Sequence, residues 1–292
     1  ITSRASFGVF NTVQRDWSGL DVDYCRALTA AIFDGVDRHV VYVVLPATDR
    51  FVALESGHVD VLSRITTFTN QRDRNEPTTG AGFSFAPVDF YDGLSFGGVP
   101  PYGECADKLD TISPQCQGLL ICVNDGTTTI ARARALFPEA LIVPQPSGSE
   151  VLENLGIKCN AIGGGSHDIA EAAVRNSGYT GLYEVGSTRH SKEPLALVTR
   201  EDDPQWTNFV RWVVFGTFYA EEEGITQATA SQMPRSDLFG ALLRNMFINS
   251  INAVGNYGEI YNRSVEGLVP REGGLNAING VPSGPQQYPG VF

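Results

Sequence analysis

Three groups of residues in this 292-residue chain have types and spacings suited to chemistry. The first is the cysteine set, Cys25, Cys105, Cys116, Cys122 and Cys159. None of the five stands in a C-x-x-C pair, which disfavours a zinc site and a thioredoxin-like redox site. Cys105 and Cys116 close the turn-rich segment CADKLDTISPQC, where a bridge between the two arms of a loop is geometrically easy, so a disulfide and an oxidising compartment are expected. The alternative is a pair of free thiols. The second group is the turn NDGTTT, in which Gly126, Thr127 and Thr128 precede a helical pattern. A glycine turn at a helix N-terminus presents backbone N–H groups to an anion. Simple capping by threonine accounts for the same residues. The third group holds isolated charged residues: Arg72 in the run NQRDRNE, and His167 and Asp168 after a Gly-rich stretch. No Ser/His/Asp arrangement and no metal-ligand spacing accompanies them, so no catalysis, metal or cofactor is expected.

The elements that must position these residues alternate. A short strand near Phe7–Phe10 leads to a helix over about Leu20–Phe33, with Asp21 and Asp23 in the turn where the helix dipole favours acids. A β-branched run, Val40–Leu45, comes next, then a helix capped by Thr48 and stopped by Gly57, and a strand over Val59–Ser63. A second unit repeats the grammar: Gly118–Val123 as strand, TTTIARARALF as helix, Ala140–Val143 as strand and SEVLENLG as helix. Such alternation predicts two α/β lobes built on open, mainly parallel sheets. Later the chain turns helical. Asp203 caps and Pro204 opens a helix whose apolar stripe runs from Trp206 to Phe218, and another is expected over about Ser236–Val254, carrying Leu238, Leu242, Met246 and Phe247. From Gly267 onward the Gly, Pro, Asn and Gln content predicts an extended tail laid over the surface.

Composition narrows the function classes. With 21 Lys and Arg against 33 Asp and Glu, the net charge is −12, and no segregated basic patch offsets it, which disfavours a nucleic-acid partner. No apolar run approaches the roughly 18 residues that span a bilayer. The opening residues ITSRASFGVF lack the charged start, apolar core and cleavage site of an export signal.

Motifs through most of the chain resemble a known family. WSGLDVDYCRALTAAIF, RFVALESGHVDVLSR, TTFTNQRD, FYDGLSF, CVNDGTTT, SKEPLALV, QWTNFVRW and VGNYGEIYNR occur in the order found in the general L-amino-acid periplasmic binding proteins of ABC transporters, within extracellular solute-binding family 3. The resemblance implies the type II periplasmic-binding-protein fold, two α/β lobes joined by two crossover strands and closing on a ligand. Residues 1–92 would form the first part of lobe 1, residues 93–193 lobe 2, and residues 194–292 the rest of lobe 1 with a C-terminal extension. It also implies a periplasmic or extracellular location and a membrane permease as partner. A zwitterion leaving water needs a guanidinium for its carboxylate and a carboxylate for its ammonium. In the family the carboxylate is held by the arginine of a T-x-T-x-x-R run, here Thr67, Thr69 and Arg72 with Thr66 beside them, helped by the Gly126, Thr127 and Thr128 turn. The alternative for Arg72 is a solvated surface guanidinium.

Two departures stand out. The family's ammonium-binding aspartate falls at Gly165, and Asn160 replaces the acid that follows Cys159. Asp168, three residues on, is the candidate substitute; its alternative is an acid in the first turn of the helix IAEAAVR. The loop after the first strand is reduced to Asn11–Asp16, and Phe7 stands near the family's first-strand cysteine, which leaves Cys25 as a buried free thiol. Cys122 and Cys159 stand in positions that could face each other on adjacent strands of the second lobe. Three readings follow: a receptor for an amino-acid-like or small carboxylate ligand, to which ordinary L-amino acids bind poorly; a ligand-poor relative serving as a structural subunit of an assembly; and a dehydratase-like enzyme.

Overall fold

The structure is a computed structural model that describes Ile1 and residues 4–279. The chain divides into two compact units. One comprises Ile1–Leu45, Phe51–Tyr91 and the chain from Pro194; the other comprises Pro46–Arg50 and Asp92–Glu193.

The second unit is built on a five-stranded sheet. Its strand order is Ile142–Gln145, Ile121–Asn124, Ala161–Gly163, Phe96–Gly98, Glu184–Val185. The first three run parallel, connected by the helices Thr128–Leu136 and Gly148–Glu153, and Phe96–Gly98 lies antiparallel to both of its neighbours. Both faces of a crossover sheet are covered, so successive residues of one strand enter different cores. Ile121 and Val123 pack with Phe96, Ile130, Ala133 and Phe137, whereas Cys122 packs with Val151, Leu155 and Ile162. Each core contains one disulfide: Cys105–Cys116 in the first, with Cα atoms 5.6 Å apart, and Cys122–Cys159 in the second, with Cα atoms 5.7 Å apart.

The first unit is more helical. Leu20–Ile32 packs along Met246–Val254 and is buried almost all round, from Leu20 to Ala31. Its free Cys25 is buried, and burial pushes that thiol up to about 12. Pro204–Glu222 begins at Asp203, whose side chain accepts the Trp206 N–H, and ends before Gly224. Its strand pairs are short: Phe83–Phe85 with Val198–Arg200, and an exposed hairpin of Val9–Asn11 with Asp16–Ser18. No described helix is long and apolar enough to cross a membrane.

Four expectations about elements are corrected. Val40–Leu45 is not a strand; among the described residues Val43 accepts from the Ile1 ammonium, Leu45 donates to the Ile1 carbonyl and accepts from Arg64, and Phe7 and Gly8 turn back onto the Arg4 carbonyl. Val59–Ser63 contributes one antiparallel bridge, Leu62 with Val198. The helix expected over Ser236–Val254 begins only at Met246. Gly240, at φ 95°, breaks the stretch before it, and Leu238 and Leu242 are left 92% and 98% exposed. The surface tail expected from Gly267 is anchored instead, with Asn276 and Asn279 each 1% exposed; residues 280–292 lie outside the described residues.

The disulfide pattern makes a direct prediction. Alkylation of denatured, unreduced protein is expected to label a single thiol, Cys25, and mass spectrometry showing five labelled thiols would contradict the bridges. Removing the Cys122–Cys159 bridge, which closes 37 residues, by paired Cys→Ala changes is expected to cost roughly 4 kcal/mol in urea unfolding on the chain-entropy estimate.

Candidate functional site

Arg72 lies in the first unit, in the short helix Asn70–Arg74. Thr69 caps that helix by accepting the Arg72 N–H at 3.2 Å. The side chain is not solvated: Arg72 is 7% exposed, its guanidinium donates to the Thr67 carbonyl at 2.8 Å, and its Cζ stands 5.3 Å from the centroid of the Phe51 ring. Thr67 is fixed by a bridge to Leu195, and the Thr66 hydroxyl donates to the Arg64 carbonyl. The three residues are thus brought together, with Thr66 and Thr67 shaping the backbone that receives the guanidinium. Arg72 has company, since buried Arg64 is lowered to about 10, chiefly by desolvation and in lesser part by Arg72. Burial of a guanidinium is costly unless it is hydrogen-bonded and stacked.

The Gly126–Thr128 turn lies in the second unit, at the carboxyl end of Ile121–Asn124. Sheet order explains its position, because open α/β sheets place their functional turns outside the carboxyl ends of the strands. Gly126 has φ 66°, and its carbonyl accepts from the buried Arg50 guanidinium at 3.2 Å. The Gly126 N–H is bound by the Asp125 carboxylate at 2.8 Å, and the Thr127 hydroxyl oxygen caps the helix by accepting from Ile130. Thr128 donates its hydroxyl to Glu193 Oε2 at 2.7 Å, and Ser191 donates to Glu193 Oε1 at 2.6 Å. Glu193 and its hydroxyl partners are half-buried.

Around Gly165 the loop is backed by strand residues rather than by an acid of its own. Ser95 exchanges backbone bonds with Gly164 and Gly165, and the buried Asp92 carboxylate accepts the Ser166 N–H at 2.7 Å. Asp168 is exposed in the first turn of His167–Asn176, and His167 Nδ1 faces the Gly186 carbonyl at 3.1 Å. Neither is brought to the Gly126–Thr128 turn by any contact. Sequence reasoning missed Glu193, Ser191 and Asp92. The signal for Glu193 and Ser191 was their place in SKEPLALV; Thr128 was marked by its turn, but nothing in the sequence joined it to Glu193. A groove along Pro204–Glu222, lined by Trp206, Phe209, Trp212, Phe239 and Leu243, contains none of the expected site residues.

Gly126 carries a stability prediction. A Cβ added there would stand 3.0 Å from Thr48 N, Cα and Cγ2, on top of the left-handed backbone cost; Gly178, at φ 79°, has the same backbone and open space. Gly178→Ala is therefore expected to cost roughly 1 kcal/mol and Gly126→Ala distinctly more. Urea midpoints that coincide for the two variants would show that Thr48 yields.

Comparison with known proteins places this geometry. No protein-family model matches the chain. The general L-amino acid-binding periplasmic protein AapJ of Rhizobium johnstonii is 35% identical over 295 residues, covering 90% of this chain and 80% of its own. The glutamate/glutamine/aspartate/asparagine-binding protein BztA of Rhodobacter capsulatus is 29% identical over 269 residues, covering 85% and 76%. Among solved structures, an ABC transporter periplasmic binding protein from Brucella ovis with glutathione bound has a TM-score of 0.74 at 32% identity, covering 96% of this chain and 89% of its own. The solute receptor for L-cysteine of Neisseria gonorrhoeae, at 16% identity and a TM-score of 0.66 over 94% and 91% of the chains, shares the fold. The chain belongs to the amino-acid-binding periplasmic proteins of ABC transporters, on the type II periplasmic-binding-protein fold of solute-binding family 3.

Proposed function

We propose that this protein captures a small amino-acid-like zwitterion, an L-amino acid or a short conjugate of one, in the periplasm and delivers it to a membrane permease. Arg72 is the anchor for the ligand's carboxylate. The observation that carries the reading is the buried, hydrogen-bonded and ring-stacked guanidinium at the T-x-T-x-x-R run of a chain 35% identical to a general amino-acid-binding protein. A planar guanidinium fixed on one side by a carbonyl and on a face by a ring has its fork geometry set before a carboxylate arrives. That lowers the ordering cost of binding. The relative with glutathione bound extends the ligand class to amino-acid conjugates. The two disulfides suit an exported protein. The relatives are binding proteins of transporters, so the dehydratase reading has no support from them.

Titration calorimetry on refolded, ligand-free protein against the twenty common L-amino acids and glutathione tests the reading. Micromolar or tighter binding of at least one compound is expected. For that compound, Arg72→Ala should weaken binding by about 1.5–3 kcal/mol, roughly 10- to 150-fold, and Arg72→Lys should restore only part because a point charge lacks the fork. Circular dichroism of the variants checks that each is folded. An unchanged dissociation constant in folded Arg72→Ala would place the anchor elsewhere; no binding by the wild-type protein would favour the structural-subunit reading.

A further inference from the structure

We infer that the groove along Pro204–Glu222 is a two-fold interface between two copies of this chain. It lies wholly in the first unit and has a volume of about 1270 Å³. Its lining includes the buried Phe209 and Phe247 and the half-buried Trp206, Trp212 and Phe239. Phe209 stacks on Trp206 and meets Phe239 edge-on, each with ring centroids 5.7 Å apart. Beside this aromatic recess stands a projection. Residues 236–244 form a loop closed by the Ser236 N–H on the Arg244 carbonyl at 3.1 Å and by the Arg244–Asp237 ion pair at 3.5 Å. The loop holds Leu238 and Leu242 out at 92% and 98% exposure, Leu238 on the rim of the groove itself. A lone exposed leucine is ordinary, but two on one fixed loop beside an aromatic recess make the continuous apolar patch that marks an interaction surface.

Shape and charge select the occupant. A two-fold contact requires one patch to be complementary to itself, so that a projection of each copy meets a recess of the other. Here projection and recess belong to the same patch, whereas a surface suited to a different partner needs only one of them. The chain carries a net charge of −12, so two copies repel across most of their faces. At the groove and its loop the charges balance, with Asp203 and Asp237 against Arg235 and Arg244. A second copy therefore approaches this patch without meeting net like charge. A strongly acidic or basic partner finds no rim of one sign to select it. Because the loop is closed by its own bonds, little ordering is left to oppose association.

Sedimentation velocity on the full chain, from about 1 to about 200 µM, should show a monomer passing to a dimer. Trp206 and Trp212 are two of the three tryptophans, so acrylamide quenching of tryptophan fluorescence should fall as the dimer forms. Leu238→Lys and Leu242→Lys alter side chains that are almost wholly exposed and should leave circular dichroism and urea midpoints unchanged. Each should weaken the dimer at least about a hundred-fold, because a two-fold contact repeats every substitution. Ile112→Lys adds the same charge at an 86% exposed site of the second unit and should leave the dimer intact. Equal weakening by Ile112→Lys, or a dimer that tolerates both leucine variants, would overturn the inference. Growth beyond a dimer would show head-to-tail contact and overturn the two-fold assignment. A wild-type monomer throughout the range would overturn it as well: tryptophans shielded from acrylamide would then mean a cover from within the chain, and tryptophans open to it a different protein.

Discussion

Burying an open strand edge requires partners for its N–H and C=O groups, and in the first unit one side chain supplies both. Asn276 accepts the Tyr91 N–H at 2.7 Å and donates to the Tyr91 carbonyl at 2.9 Å, imitating a neighbouring strand over one residue. The strand so completed, Phe90–Asp92, is where the chain leaves the first unit, and its other neighbour is Glu193–Leu195, where the chain returns. Asn279 donates to the Val88 carbonyl, and Tyr257 donates its hydroxyl to the Asp89 carbonyl. These three side chains serve four backbone groups, on Val88, Asp89 and Tyr91, and a buried group left unsatisfied costs roughly 1–3 kcal/mol. The C-terminal segment is thus part of the structural frame of the first unit.

The same segment is held by charge. Arg271 makes a bidentate pair with Glu221, both bonds 2.7 Å, while its guanidinium lies 4.9 Å from the Tyr257 ring centroid. Arg263 pairs with Asp23 at 2.8 Å, yet burial still leaves that carboxyl raised. Asp21 is pushed up to about 7 by burial, against the pull of nearby cations. Such buried charges add little net stability, since desolvation offsets the attraction, but removing one partner is expensive. They fix which helix surfaces meet, and Arg72 follows the same rule in the candidate site.

Legibility tracked how local each cause was. The helix from Pro204 was readable because its cap, its proline and its stripe all lie within the segment. The second unit's parallel strands were readable because their apolar runs and glycine turns alternate in order. Val40–Leu45 misled because a β-branched run specifies an extended chain but not a neighbour to pair with. Ser236–Val254 misled because helical spacing of Leu238, Leu242 and Met246 was weighed above Gly240, although a glycine in the left-handed region ends the helix whatever the spacing. Among the candidate residues, Arg72 and the 126–128 turn are marked by local motifs. Glu193 could not be tied to the turn, since Thr128 is 65 residues away and only the fold joins the two.

A helix N-terminus does not by itself decide the sign of what it binds. Thr128–Leu136 offers a partial positive charge at its first turn, and such a field stabilises any carboxylate that reaches it. In this chain the carboxylates that reach it belong to the protein: Asp125 from the turn and Glu193 from a distant strand. Beside them the buried Arg50 guanidinium donates to the Gly126 carbonyl, so charges of both signs pack against the one turn. The glycine and threonine residues that make such a turn a donor cradle therefore describe a backbone shape, while the charges packed against it set its preference.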